Sequence, residues 1–277
     1  MGRSCLLENT LIKYYQSKYE EVFAMRRFLV RADDLGYCEA VNYGIAKAVK
    51  EGIVGSVGLM PNMEAAQHGV DLLTGCTVCY GQHTNICNGR PLTEASLIPS
   101  LVQPNGEFKT TAQYREAAKT GQDFVVLEEA VLEIEAQYRR FVELTGQQPH
   151  YFEGHAVPSE NFNKGLAIVA QKYGLRYLPM TFGEPAVFGR TKLYASMDSM
   201  FPDYVPFESL KKAALREMDG NSCVMMICHP GYVDDYVLKT SLLTTQRAEE
   251  TAMLTNAETR QWLRENDVRL VTYDDLW

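Results

Sequence analysis

Two adjacent carboxylates, Asp33 and Asp34, follow the apolar run "FLVRA" and precede a glycine in "RADDLG". Side by side they repel, and burying either one unpaired costs several kcal/mol or drives it to take up a proton. The pair therefore needs a cation, a catalytic task or plain water. Three histidines occupy comparable places: His83 ends "CTVCYGQH", His155 ends "PHYFEGH" and His229 follows "SCVMMIC". Two imidazoles and a carboxylate around one centre make a three-ligand metal site with a position left for water, which is what hydrolysis requires. The second Asp is then a candidate base. Each residue also has an ordinary structural use, since Asp caps helices and a strand-end His is commonly a hydrogen-bonded rim residue. The coincidence of all of them at strand ends favours a site. His68, inside an amphipathic helix, and His150, after Pro149 at the start of a strand, read as structural.

Such a site needs elements that bring chain-distant residues together. Strand-like and helix-like patterns alternate along the chain, the signature of βα units around a parallel sheet. "RFLVRA", "IVGSVGLM", "CTVCYGQH", "HYFEGH", "LRYLPM", "SCVMMICHPG" and "VRLVTY" read as strands. "CEAVNYGIAKAVKEG", "MEAAQHGVDLL", a long stretch over about 112–144, "GLAIVAQKYG" and "TTQRAEETAMLTNAETRQWLREN" read as helices. In barrels and open parallel sheets alike, the C-terminal strand ends converge on the ligand-binding side. The connection "TNICNGRPLTEASLIPSLVQPNGEFKT" is long and rich in turn residues, and connections of that length are usually functional, often lids or binding loops.

The bulk properties bound the partners. With 277 residues, 46% of them apolar, the chain can bury one substantial core and is expected to form a single domain. Its formal charge of −8, with no concentrated basic face, argues against a nucleic-acid surface. No run approaches the ~18 apolar residues of a membrane helix, and no apolar leader stands at the N-terminus, so neither membrane nor export is expected. Seven scattered cysteines lack the density of a disulfide framework and point to reduced thiols in the cytoplasm. Cys76 and Cys79 have metal or redox spacing, but alternation in "CTVCY" assigns them to opposite faces of a strand and no second pair exists; buried thiols are expected. No phosphate-binding loop or dinucleotide fingerprint is present.

From about Arg26 to Leu270 the chain resembles the YdjC-like carbohydrate deacetylases, which include the chitooligosaccharide deacetylases. "RADDLG" is similar to the family's Asn-Ala-Asp-Asp-Phe-Gly opening. "GQHTNICNGRPL" carries its Gly-x-His followed by Gly-Lys/Arg-Pro-Leu, "HYFEGH" stands where the family has Asp-Ser-His, and "MMICHPGY" contains its Cys-His-Pro. The resemblance implies an α/β, single-domain (β/α) barrel-like fold, of incomplete or distorted TIM type, and removal of acetyl groups from N-acetylated sugars such as diacetylchitobiose. It implies a divalent metal cation held by Asp34, His83 and His155, with Asp33 as base and His229, as imidazolium, as the acid. Glu153 and Arg90 are its candidate substrate contacts. It suggests magnesium, whereas imidazole ligation suits zinc. A homodimer is compatible with it. Where the family continues past Asp-Ser-His with more histidines, this chain reads "EGHAVPSE", a departure that bears on substrate choice. Two rival functions are a hydrolase of phosphorylated disaccharides, the cellobiose-phosphate type, and a sugar-binding regulatory protein without turnover.

The recognisable pattern begins only at Met25, so the expected organisation is an extension over residues 1–24 and a deacetylase-like domain over 25–277. A protein beginning at Met25 should retain full acetate release. A folded, inactive truncation would show instead that the extension completes the site.

Overall fold

Strand β1 (Arg26–Leu35) is the longest of the sheet and is buried from Phe28 onward. It is the central strand, and burial on both faces explains its nearly continuous apolar run. The computed structural model describes residues 26–179, 181, 184–218 and 220–276; the expected 1–24 extension lies outside the described residues. Strand β7 (Ser222–Cys228) runs parallel along Phe28–Ala32 of β1. A strand has only two edges, so two partners divide the other one. Strand β8 (Val268–Val271) takes Arg26–Leu29, and strand β2 (Ser56–Leu59) takes Arg31–Leu35. Strands β3 (Cys79–Thr84) and β4 (Tyr151–Gly154) extend the sheet in parallel beyond β2. Beyond β7 lie β6 (Thr191–Ser196), parallel to it, and β5 (Ala186–Phe188), antiparallel to β6. The order β4-β3-β2-β1-β7-β6-β5 ends on two strands that do not pair with each other among the described residues. The sheet is thus a curled, incomplete barrel in a single-domain α/β fold, as expected.

Helices pack on the outside of this sheet. Helix α1 (Glu39–Lys50) buries Val41, Ile45 and Ala48, one face at helical spacing, and packs on β1 and on α8 (Thr245–Thr255). Helix α2 (Ala66–Leu72) follows β2. The expected long helix over 112–144 is two: α3 (Thr111–Lys119), capped by a reciprocal Thr110–Gln113 box, and α4 (Leu127–Thr145). Gly121, at φ 70°, turns the chain between them. Helix α5 (Glu160–Tyr173) lies against α4. The C-terminal helical stretch is likewise divided, into α8 and α9 (Ala257–Glu265), because Asn256 caps the second by accepting from Glu258 N.

Other expectations are corrected. Among the described residues, "LRYLPM" contributes a single bridge, Tyr177 to Phe152, and no strand. Cys76 precedes β3 and so does not share a strand with Cys79; both are free thiols, Cys79 buried and Cys76 half-buried. The short helices α6 (Pro206–Ala214) and α7 (Asp235–Thr240) and the β5–β6 hairpin were not apparent from periodicity. The connection after β3 is no free lid. Its Ile86, Ile98, Leu101 and Phe108 are buried in a second core with Ile134, Phe152 and Phe162, and its backbone at Leu92 and Thr93 donates to the buried carboxylate of Glu133.

The barrel interior is filled by large rings. Tyr151 stacks on Tyr273 with centroids 3.9 Å apart, and a Cβ at Gly81 would stand 2.1 Å from the Tyr151 ring. A buried ring in a filled interior has nowhere to move. Gly81→Ala should therefore destabilise the fold by about 1–3 kcal/mol, read as a melting temperature lowered by several degrees. An unchanged melting temperature would show that the ring can move aside.

Candidate active site

The two adjacent carboxylates lie inside β1, at a break in its pairing. Ala32 is opposite Val57 and Leu35 is opposite Leu59, so Asp33 and Asp34 together face the single residue Gly58. One extra residue on one strand is a β-bulge, which re-aims side chains and is common beside active sites. Asp34 takes it up with φ 73°, a left-handed conformation that Asp tolerates better than most residues. Gly58 leaves the room: a Cβ there would stand 2.9 Å from Asp33 Oδ1 and 3.2 Å from His83 Cβ.

Both carboxylates are almost fully buried, and each has its own guanidinium. Arg31 donates to Asp33 Oδ2 at 2.6 Å, and Arg247, from α8, donates to Asp34 Oδ2 at 2.8 Å. The remaining oxygen of each, Asp33 Oδ1 and Asp34 Oδ1, is buried without a hydrogen-bond partner. Burial alone would raise the pKa of Asp34, but Arg247 and the nearby imidazoles outweigh it and hold the carboxyl well below the usual range.

Asp34 Oδ1 stands 3.5 Å from His83 Nε2 and 3.5 Å from His155 Nδ1, and these two nitrogens are 2.8 Å apart. Two imidazole lone pairs at that distance repel unless one positive centre, a proton or a cation, lies between them. Ligand atoms bound at ~2.0–2.2 Å around one ion stand roughly 3 Å from one another, so the donor set and its spacing fit a divalent cation. Asp34, His83 and His155 are a candidate metal-ligand group. Glu153, behind His83, contacts its Nδ1, and the Asn88 amide faces His155 Nε2 at 3.2 Å. Such outer partners fix the ring orientation of a ligating histidine. Burial opposes a charge on His83, yet Glu153, Asp33 and Asp34 outweigh it and raise its pKa well above 6.5; His155, buried with fewer carboxylates, is lowered to about 4.

Glu153, a candidate substrate contact from the sequence, is buried beside His83. Its carboxylate contacts His83 and lies 3.7 Å from Arg31, at 5% exposure. Arg90 is exposed and lines a cavity of about 480 Å³ with Tyr37, Asn62, Met63, Glu107 and Tyr236. Asn62 links that cavity to the site: it accepts from Asn85 and donates to the carbonyls of Asn88 and Arg90. His68 and His150 have structural partners, Asn42 and Asp274 respectively.

His229 follows β7 directly, and its Nδ1 is buried without a partner. Burial lowers its pKa to about 4, against the pull of Asp34 and Asp33, so the ring is neutral at pH 7. The imidazolium expected from the resemblance is therefore not its resting form. Glu250 of α8 accepts from the His229 backbone N–H at 2.5 Å and from the Tyr204 hydroxyl at 2.7 Å. Arg31, Arg247, Asn88 and Glu250 escaped the sequence reading. Only Arg31, two residues before Asp33, carried a local signal, the odd charge in an apolar run.

A parallel, barrel-like sheet whose strand ends gather carboxylates and imidazoles is the architecture of a barrel-type enzyme site. The chain belongs to the YdjC-like protein family, which it matches over residues 27–265. Among its relatives, a carbohydrate deacetylase of Geobacillus stearothermophilus is 32% identical over 91% of this chain and 98% of its own length. A chitooligosaccharide deacetylase of Escherichia fergusonii is 29% identical over 91% of this chain and 99% of its own. A crystal structure from Enterococcus faecalis, described as a proposed cellobiose-phosphate cleavage protein, shares the fold with a TM-score of 0.75 at 22% identity, covering 91% of this chain and 99% of that one. No helix among the described residues is long and apolar enough to cross a membrane.

Glu250 supplies a pH test. Burial raises its carboxyl from 4.5 to about 7. The protonated acid therefore contributes stability that is fully present below about 4.5 and is lost as the pH rises through 7. Glu250→Gln, neutral at every pH, should flatten the fall in stability between those values, a fall of up to about 3 kcal/mol. Denaturant unfolding at pH 5 and pH 8 reads it. Equal pH slopes in the two proteins would mean that Glu250 stays ionised throughout.

Proposed function

We propose that this protein removes acetyl groups from N-acetylated sugars of the chitooligosaccharide class, with water as the nucleophile and a divalent cation held by Asp34, His83 and His155. One observation carries the reading: the three donor atoms form a triangle in which His83 Nε2 lies 4.0 Å from the Asp33 carboxylate, and Asp33 Oδ1 is a buried acceptor with no other partner. When bound, the cation supplies Lewis-acid polarisation of the acetyl carbonyl and acidifies water. Asp33 takes the proton of the attacking water on Oδ1, while Arg31 holds Oδ2 and fixes the orientation of the carboxylate. Arg247 keeps Asp34 ionised, and Glu153 and Asn88 orient the two imidazoles. His229 protonates the departing sugar amine. Its ring is neutral at rest, so the proton it delivers is the one that Asp33 removes from the attacking water, and both groups return to their resting forms. The products are acetate and an amino sugar. The names of the Geobacillus and Escherichia relatives support this reaction class.

Cleavage of a phosphorylated disaccharide is the rival reading, and it needs two carboxyl groups flanking a glycosidic bond. Asp33 and Glu153 are the pair available, but Glu153 is taken up by His83 and Arg31. Metal-stripped protein reconstituted with magnesium or zinc should release acetate from diacetylchitobiose. Release of monosaccharide from cellobiose phosphate, without acetate from the chitobiose, would favour the rival.

The two aspartates should separate binding from chemistry. Asp34→Asn should weaken metal affinity and recover part of its activity with excess metal. Asp33→Asn should bind metal nearly normally and lose about 10²- to 10⁴-fold in kcat at any metal concentration, the range for a positioned acid–base group. The opposite pattern would exchange the two roles, and two fully active variants would remove this site from the chemistry.

A further inference from the structure

At the end of the sheet where β3 and β4 begin, a second set of ligand atoms meets. Cys79 is the first residue of β3, His150 immediately precedes β4, and Asp274 follows β8. The Cys79 Sγ, a His150 ring nitrogen and an Asp274 carboxylate oxygen all lie within 4.8 Å of one another. His150 Nδ1 is 2.7 Å from Asp274 Oδ2 and 2.8 Å from Oδ1, and Arg176 donates to Oδ1 at 2.7 Å. Beside the thiol, Ser56 is the register partner of Cys79 in β2 and is fully buried.

We propose that Cys79, His150 and Asp274 bind a soft divalent cation of the zinc class, at a site distinct from the Asp34–His83–His155 centre. The donor sets differ in kind. Thiolate with imidazole selects zinc-class ions, whereas the active-site group holds only oxygen and nitrogen. The ion pair between His150 and Asp274 does not account for the cluster. Partly exposed at 28% and 46%, the contact is a weak one, and it does not explain why a buried thiol stands beside it. Burial pushes the Cys79 thiol up to about 12, so it is protonated in the metal-free protein. Binding breaks the S–H bond and forms a sulfur–metal bond, and the proton leaves to solvent; coordinated thiols are deprotonated in this way. Water fills the remaining positions, as the half-exposed His150 and Asp274 permit. The bound ion would tie the starts of β3 and β4 to the segment after β8 and raise stability by mass action.

Cobalt(II) is the probe, because thiolate coordination gives it a charge-transfer absorption that oxygen and nitrogen donors do not. Titrating the metal-stripped, full-length protein should produce that band. Cys76→Ser, Cys5→Ser and His155→Asn should keep it, and Cys79→Ser should lose it. His150→Gln and Asp274→Asn, which change partly exposed side chains, should weaken the affinity by at least about tenfold and decide the matter if Cys79→Ser fails to fold. Absence of the band in the unsubstituted protein overturns the proposal. So does a band that survives Cys79→Ser, or one whose midpoint neither His150→Gln nor Asp274→Asn moves.

Discussion

The constraint on which the rest of the site depends is the neutralisation of two carboxylates that a β-bulge carries into the interior of the central strand. Asp33 and Asp34 are 2% and 1% exposed, where an unpaired charge would cost several kcal/mol. With Glu153 they make three negative groups in one buried cluster, answered by two guanidiniums, Arg31 and Arg247. The remaining charge falls to the imidazoles. Glu153, Asp33 and Asp34 accordingly hold the His83 pKa well above its ordinary value, and a cation between His83, His155 and Asp34 would meet the charge in the same place.

The fold supplies that balance from separate parts of the chain. Arg31 precedes Asp33 on the same strand, whereas Arg247 comes from α8, 213 residues beyond Asp34. Helix α8 is held against β1 through α1, so the packing that buries Val41 and Ile45 also delivers the guanidinium. The long connection after β3 acts similarly. Its apolar residues anchor it in the second core, and Asn85 and Asn88 are thereby fixed beside Asn62 and His155. Removal of water from around these groups strengthens every charge interaction among them.

What could be read in the sequence follows from how local each cause is. Strand-end placement of Asp33, Asp34, His83, His155 and His229 is a short-range pattern, and alternating βα units imply that such ends converge; both were visible in the residues. The open, hairpin-edged form of the sheet was not, because β5 and β6 are short and their pairing with β7 is decided by tertiary packing. Helix breaks at Gly121 and Asn256 were missed because apolar periodicity continues across them. Arg247 and Glu250 looked like an ordinary solvated helix in "TTQRAEETAM", since burial at 2% and 1% is imposed by elements far away in sequence. Glu153 was visible, but its contacts with His83 and Arg31 were not, because periodicity cannot distinguish a strand residue that faces substrate from one that supports its neighbour.

The division of labour between the two aspartates also follows from their partners. Each carboxylate gives one oxygen to an arginine and keeps the other free, and the two free oxygens face different surroundings. Asp34 Oδ1 is equidistant from two imidazole nitrogens, a position suited to closing a ligand set. Asp33 Oδ1 faces Gly58, where a Cβ would stand 2.9 Å from it, and it has no hydrogen-bond donor. A regular strand would have sent the two side chains to opposite faces, one into the helix layer. The bulge keeps both in the cluster, and the missing side chain at residue 58 leaves the Asp33 carboxylate its place. A carboxylate pair that would repel in a simple turn thus becomes two groups with different counter-ions, and that difference is what allows one to hold a cation while the other accepts a proton.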